Sequence, residues 1–365
     1  MHIAALSAGG QAPRGRFNGA VHSVFRDACN IRLDDGRMLT LLTPRLGNTP
    51  HGVRLDAPKE FDFTGQVRRG QRAGCRADVL RIPGALSVDL ATARPWPGEL
   101  PAAGVDLADP MVARAWRAAW RALQHDRPHA DGTDAKSLTR AVDRQGLRLA
   151  RAARALQADE ATGALDRLIG RGPGLTPSGD DLIVGLLAGL WSTTGVHSAR
   201  RAFLRTWCAA VQVAAAATGE ISRAYLGHAA GGHFAELLIR LVHQIGEGAE
   251  RRAIEASIAA ALRVGHTSGG DGAFGLLLGL AAWAPRSPRA LRQARHATAK
   301  ASLEQPGSRA WVVAVSREAA SPCLSVPKGM TPCRRPAGRA LAWARGASPR
   351  SPAPRRMSAN SALSQ

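Results

Sequence analysis

Two adjacent aspartates, Asp180 and Asp181, open the segment GLTPSGDDLIVGLLAGLW (Gly174–Trp191), which is otherwise largely glycine and hydrocarbon. An ionised carboxylate beside a buried apolar helix is costly unless a hydrogen bond, a metal ion or a helix end compensates it. Three chemistries would account for the pair: helix capping, cation coordination or proton transfer. A second copy narrows the choice. Ninety residues downstream, GHTSGGDGAFGLLLGL (Gly265–Leu280) shares the pattern S-G-x-D-x-x-x-G-L-L-x-G-L, which matches Ser178 to Ser268, Gly179 to Gly269, Asp181 to Asp271, Gly185 to Gly275 and Gly189 to Gly279. Such a repeat predicts two pseudo-equivalent helices packed closely through their glycines.

Serine at a helix cap with aspartate three residues later is a capping box, so Ser178 with Asp181 and Ser268 with Asp271 are expected to satisfy free amides, each box contributing about 1 kcal/mol. Asp180 is left over, because Gly270 is its counterpart. The preceding GRGPGLTP carries Gly170, Gly172 and Gly174, whose bare amides can approach a ligand. Helix N-termini attract anions, and two converging ones would cradle a phosphate or carboxylate. Asp180 would repel that anion unless it binds Mg²⁺, which bridges carboxylate and phosphate, or accepts a proton from a neutral amide. Between the copies lies TGEISRAYLGHAAGGHF (Thr218–Phe234), in which Glu220 and Arg223 stand one helical turn apart. The pair would aim a guanidinium at an anion, or it is a surface ion pair. His228 and His233, five apart, are poorly spaced for one metal and read as packing or surface residues. His266, next to the second helix start, is better placed.

Other constellations are weaker. His125 and His129 flank Pro128, which interrupts the helix that would align them. Ser178 lacks the G-x-S-x-G setting of a nucleophile. Cys29, Cys75, Cys208, Cys323 and Cys333 form no CxxC pair, which suits a reducing cytosol.

The elements that must position these residues fall into three regions. Residues 1–108 read as a small β-rich domain of the kind that can close into a barrel: AVHSVFR, the hairpin NIRLDDGRMLTLL with Asp35-Gly36 in a mirror-image turn, then GQVRRG, ADVLRIPG and ALSVDLA. Residues 109–284 read as helical, opened by Asp109 as N-cap and Pro110 at the first position. Within them Leu138, Val142, Leu149, Ala153 and Leu156 follow helical spacing, with Arg140, Arg144, Arg148 and Arg151 on the opposite, solvated face. Residues 285–365, rich in Arg, Ala, Ser and Pro, are expected to be disordered. The fold class is therefore α+β, with a pseudo-repeat in the helical part and a basic tail.

Charge follows the same division. Of the net +21 in 365 residues, +13 falls after Ala284 and only +8 on the body. The tail has few aromatics for base stacking, so nucleic acid is a weak expectation and an unselected extension the stronger one. The opening MHIAALSAGGQAPRGRF lacks a long apolar core, and the best apolar runs last about ten residues where a bilayer needs about 20. A cytoplasmic, soluble protein without a membrane partner is expected.

The blocks GRGPGLTPSGDDLIVGLLAGL, TGEISRAYLGHAAGGHF and GHTSGGDGAFGLLLGL, together with GAVHSVF and LDDGRMLTLL, resemble the AllH-like family over roughly Gly19–Leu280. The resemblance implies one subunit of a multi-subunit oxamate carbamoyltransferase, acting beside a chain similar to acyl-CoA synthetases on carbamoyl phosphate and oxamate, or in reverse on oxalurate and phosphate. Two departures stand out: Thr218-Gly219 replaces paired threonines, and Gly270 replaces an aromatic, whose loss would widen the pocket. The expected site lies between the two helix starts. Gly172, Gly174, Thr176, Ser178 and Gly179 would offer amides or hydroxyls on one side, and Thr267, Ser268 and Gly269 on the other, with Glu220 and Ser222 alongside. Asp180, Arg223 and His266 would do the chemistry, while Asp181 and Asp271 would mainly cap. No cofactor is implied beyond Mg²⁺ at Asp180. A non-catalytic scaffold subunit and a nucleic-acid binder acting through the tail are the rival readings.

Overall fold

Alternating small and apolar residues at the N-terminus make a strand that the sequence expectation omits. In a computed structural model, which describes residues 1–100, 104–127 and 133–285, strand β1 (His2–Gly9) buries Ile3, Ala5, Ser7 and Gly9 on one side. It is followed by β2 (Phe17–Val24), β3 (Ala28–Leu33), β4 (Met38–Leu42), β5 (Gly52–Leu55), β6 (Arg72–Arg76), β7 (Val79–Ile82), β8 (Leu86–Asp89) and β9 (Arg94–Trp96). The strand order is β5-β4-β3-β2-β6-β7-β8-β1-β9, and a further β1–β5 pairing closes the first eight into a barrel. Strand β1 pairs in parallel with β8 through His2–Ala4 and with β9 through Ser7–Gly9. Closure removes the exposed edges that an open sheet would present. Ile31, Leu39, Leu41, Leu55, Phe63, Leu80 and Val88 fill the interior.

Two turns differ from expectation. The β3–β4 loop is a three-residue turn in which only Gly36 is left-handed, with φ 85°. Gly36 N donates to Leu33 O, and the Asp35 carboxylate accepts from Arg37 N, so Asp35 keeps an ordinary φ and the mirror-image turn is not formed. That turn sits instead at Ala77-Asp78 between β6 and β7, with φ 47° and 57°. The expected strand GQVRRG is absent: the chain there follows a single 3₁₀ turn (Phe63–Gly65) and buries Val67 alone.

Helices take over at Asp109, whose carboxylate accepts from Met111 N and Val112 N. They are α1 (Pro110–Asp126), α2 (Thr133–Ala155), α3 (Ala158–Leu165), α4 (Ser178–Thr193), α5 (Ser198–Ala214), α6 (Glu220–Ala230), α7 (Glu236–Gly246), α8 (Arg251–Leu262) and α9 (Ser268–Ala282). Val142, Leu149 and Ala153 of α2 are buried, while Arg140, Arg144, Arg148 and Arg151 are exposed. Leu156 is exposed as well, because it follows the end of α2 in a left-handed conformation (φ 58°) that stops the helix. None of the described helices is long and apolar enough to cross a membrane. Residues 286–365, on which the expectation of a disordered tail falls, lie outside the described residues, as do His129, Cys323 and Cys333.

Helices α4 and α9 run parallel at the centre, with their starts side by side. A Cβ on Gly185 would come 1.9 Å from Gly272 O, and one on Gly275 would come 2.0 Å from Leu182 O. Gly189 against Leu276 O and Gly279 against Leu186 O repeat the relation one turn later, at 2.5 and 2.4 Å. Each contact maps onto its counterpart by a shift of ninety residues, so the two helices are related by a local two-fold axis. Only glycine allows backbones this close. The leucines point outward into the bundle, where Leu182, Leu186, Leu276 and Leu280 are buried.

The barrel is fastened to this bundle by Glu236 at the start of α7. Its Oε2 accepts from Asn48 N at 2.8 Å and Asn48 Nδ2 at 2.7 Å, and Ser7 Oγ donates to Asn48 Oδ1 at 2.5 Å. The β4–β5 loop, Thr43–His51, is thereby pressed against the helices.

Candidate functional site

The loop before α4 turns on three left-handed glycines, Gly170 (φ 68°), Gly172 (φ 131°) and Gly174 (φ 90°). At Gly172 a Cβ would meet Ser178 N at 2.6 Å, so the tight return requires glycine. Asp180 closes the loop. It is 1 % exposed; its Oδ1 accepts from Gly170 N at 2.8 Å and its Oδ2 from Thr218 Oγ1 at 2.5 Å. Both carboxylate oxygens are thus committed to fastening the loop to the segment before α6. In this structure the spare acid of the sequence reading serves as a clip, each of its oxygens accepting one hydrogen bond. Among the described residues, no group of three or more His, Cys, Asp or Glu side chains is placed to hold a metal ion.

The capping boxes are not formed. Pro177 and Thr267 occupy the cap positions, and at neither helix does a side chain accept from the first-turn amides. Each helix begins one residue earlier than the box requires, which moves Asp181 and Asp271 beyond the reach of the cap. Gly179 and Gly269 also depart from expectation. Gly179 N donates to Arg171 O and Gly269 N to Val264 O, and a Cβ on either would strike a carbonyl at about 2 Å. Their amides are therefore spent on packing, with none to offer a ligand.

The hydroxyls do converge. Thr176 Oγ1 lies 2.8 Å from Ser268 Oγ, and Ser178 Oγ lies 3.3 Å from Thr267 Oγ1. Four hydroxyls therefore bridge the two helix starts at the positive ends of both dipoles. Beside them stands Asp181, half-buried, whose Oδ2 has neither solvent nor a hydrogen-bond partner. Burial raises its carboxyl well above the ordinary range. The Ser268 and Thr176 hydroxyls oppose the rise, and the neighbouring Asp271 and Asp180 charges add to it. A carboxyl so placed keeps its proton to higher pH than a solvated one.

Asp271, 3 % exposed, is bound instead by Arg127 at 2.5 Å, and Arg127 also reaches Asp143 at 3.1 Å and lies over the Phe274 ring. Burial disfavours the Arg127 charge, but the two carboxylates outweigh it and raise its affinity for the proton. The place of the missing aromatic at Gly270 is not open: a Cβ there would meet Leu262 at 3.2 Å and Arg127 at 3.4 Å, so these side chains fill the room that a wider pocket would need.

Arg223 and Glu220 do not pair. Arg223 donates to the Ala215, Ala216 and Thr218 carbonyls, closing the turn after α5. Glu220 reaches across to the barrel, 3.0 Å from Arg32 and 3.6 Å from His22. Ser222 is buried, with no partner for its hydroxyl. His266 is exposed in the turn before α9 and makes no hydrogen bond.

The residues missing from the sequence reading come mostly from the barrel side. His51, at the end of the β4–β5 loop, is 1 % exposed, and both of its ring nitrogens lack partners. It meets Tyr225 edge-on at 4.8 Å and stacks on His228 at 4.9 Å. Burial lowers His51 to about 3 and His228 to about 4, so both stay neutral near pH 7. Burial also pushes the Tyr225 phenol up to about 12, the Asp181 charge contributing. Tyr225 therefore links the acid on α4 to the histidine from the barrel. The sequence reads His228 as a packing or surface residue, and Pro50-His51-Gly52 carries no local motif that would single out His51.

Two family models match the chain. Residues 168–280 match the family model described as oxamate carbamoyltransferase subunit AllH, and residues 4–95 match that of the AllH family N-terminal domain. The first match spans the glycine loop, both helix starts and α6. No solved structure matches the chain.

Proposed function

The chain belongs to the AllH family, and from that premise we propose that it is a cytoplasmic subunit of a carbamoyl-transfer enzyme converting carbamoyl phosphate and oxamate to oxalurate and phosphate, and the reverse. In the forward direction the oxamate amide nitrogen attacks the carbamoyl carbon. A C–N bond forms, the C–O bond to phosphate breaks, phosphate leaves with the electron pair, and the nitrogen gives up one proton.

The observation that carries the reading is the hydroxyl bridge between two converging helix starts. Thr176, Ser178, Thr267 and Ser268 would donate to the phosphoryl oxygens, with both helix dipoles adding to the attraction. Asp181, whose carboxyl burial biases toward the protonated form, would add a donor where an ionised acid would repel the anion. The family description names a subunit, so further chains are part of the proposal, among them one similar to acyl-CoA synthetases.

A scaffold role is the second reading, favoured by the close backbone packing that already explains Gly179, Gly185, Gly269 and Gly275. The complex co-purified with its partner chains separates the two. Oxalurate formation from carbamoyl phosphate and oxamate should show at least a tenfold rise in KM for carbamoyl phosphate in Ser178→Ala/Thr267→Ala, with the melting temperature unchanged. A variant complex that keeps wild-type kinetics assigns the hydroxyls to structure and the subunit to the scaffold.

A further inference from the structure

We propose that His51, carried in by the barrel, completes a buried subsite for a neutral amide group, which fixes the orientation of substrate in the carbamoyl-transfer reading on which this inference rests. The barrel would then contribute to specificity as well as support the bundle.

The argument begins with unmet polar atoms. A neutral imidazole has one donor and one acceptor, and His51 has a partner for neither although it is 1 % exposed. Asp181 Oδ2, on α4, is likewise without solvent or partner, and Thr49 Oγ1, on the same loop as His51, faces the Tyr225 hydroxyl beside them. Native proteins leave few such atoms unsatisfied, and each lowers stability. Here they gather where the barrel loop, α4 and α6 meet, with Tyr225 and His228 packed on the His51 ring. Glu236 of α7 holds that loop in place through Asn48.

An amide is the complement of this set. Its carbonyl accepts from the Asp181 carboxyl or the Tyr225 hydroxyl, and its two N–H groups donate to His51 and Thr49. A carboxylate is a poor match, because burial holds both histidines neutral and offers no cation to pair with it. Phosphate would lie toward the four hydroxyls and the amide toward the barrel. Tyr225 and His228 are only half-buried, so this cluster reaches the surface on the α6 side.

The test compares oxamate with oxalate, which replaces the amide by a carboxylate, by titration calorimetry on the full chain. The wild type should bind oxamate at least tenfold more tightly than oxalate. His51→Leu and Tyr225→Phe should each remove that preference while leaving the affinity for inorganic phosphate within twofold. Equal binding of the two ligands by the wild type overturns the proposal, as does a preference that survives both substitutions. If the preference depends on His51 but phosphate does not bind, the amide subsite stands and the carbamoyl-transfer reading falls.

Discussion

Asp181 and Asp271 occupy the same position in two copies of one motif, on helices related by a local two-fold axis, yet their surroundings are opposite. Asp271 is bound at 2.5 Å by Arg127, which follows α1 and also holds Asp143. Asp181 faces two hydroxyls and Tyr225, and one of its oxygens has no partner. The difference comes from the neighbours: α1 packs beside α9 and brings a cation, whereas α6 packs beside α4 and brings a phenol. A duplicated backbone thus sets where two acids stand, and the unduplicated helices decide which is a structural ion and which is left for chemistry.

The symmetric part should be the least tolerant of change. Gly275→Leu places a side chain where even a Cβ falls 2.0 Å from Leu182 O, and no soluble folded protein is expected, as judged by circular dichroism of the purified fraction. Gly163→Ala, in α3 where a Cβ meets nothing within 4 Å, should instead stabilise by about 0.5–1 kcal/mol in urea. Next in size is Arg127→Ala. It strands Asp271 and Asp143, and should lower unfolding free energy by about 3–5 kcal/mol. If the loss is below about 1 kcal/mol, Asp271 does not need its cation and the contrast with Asp181 disappears.

The junction with the barrel should show itself through pH. His51 and His228 titrate at about 3 and about 4 when folded and near 6.5 when unfolded, so the unfolded chain takes up the protons first. Stability from these groups is present above 6.5 and lost as pH falls, by about 3 kcal/mol for the pair at pH 5.5. Urea titrations between pH 7.5 and 5 read this directly, and His228→Gln should remove about half of the slope.

Legibility from sequence followed the range of the interactions. The repeat, the cap at Asp109 and the strands around Val79 and Leu86 depend on neighbours within a few residues, and all were readable. The meeting of the helix starts followed from the repeat itself. What failed was register and partnership: helices that begin one residue early turned both capping boxes into something else, and Asp180 found Thr218 thirty-eight residues away. The mirror-image turn on Ala77-Asp78 has no glycine or asparagine to announce it. His51 and Tyr225 lie far apart in the chain, each in an unremarkable local setting, and only the docking of the barrel loop by Glu236 brings them together.

The smallest expected effects separate the two acids that the sequence places side by side. Asp180→Ala removes the partner of Gly170 N and Thr218 Oγ1 and should cost about 1–3 kcal/mol at pH 7. Asp181→Asn should change stability by less than about 0.5 kcal/mol at pH 4, because the amide replaces a carboxyl that is already neutral in the folded protein. The sign then matters more than the size. A carboxyl raised by burial contributes its stability fully below the unfolded value near 3.8, and loses it as pH rises toward the folded value, whereas asparagine does not titrate. The variant should therefore become progressively more stable than the wild type between pH 4 and pH 7. A wild type that instead gains on Asp181→Asn as pH rises would mean that Asp181 is ionised and paired like Asp271, and the two halves of the repeat would then be chemically alike.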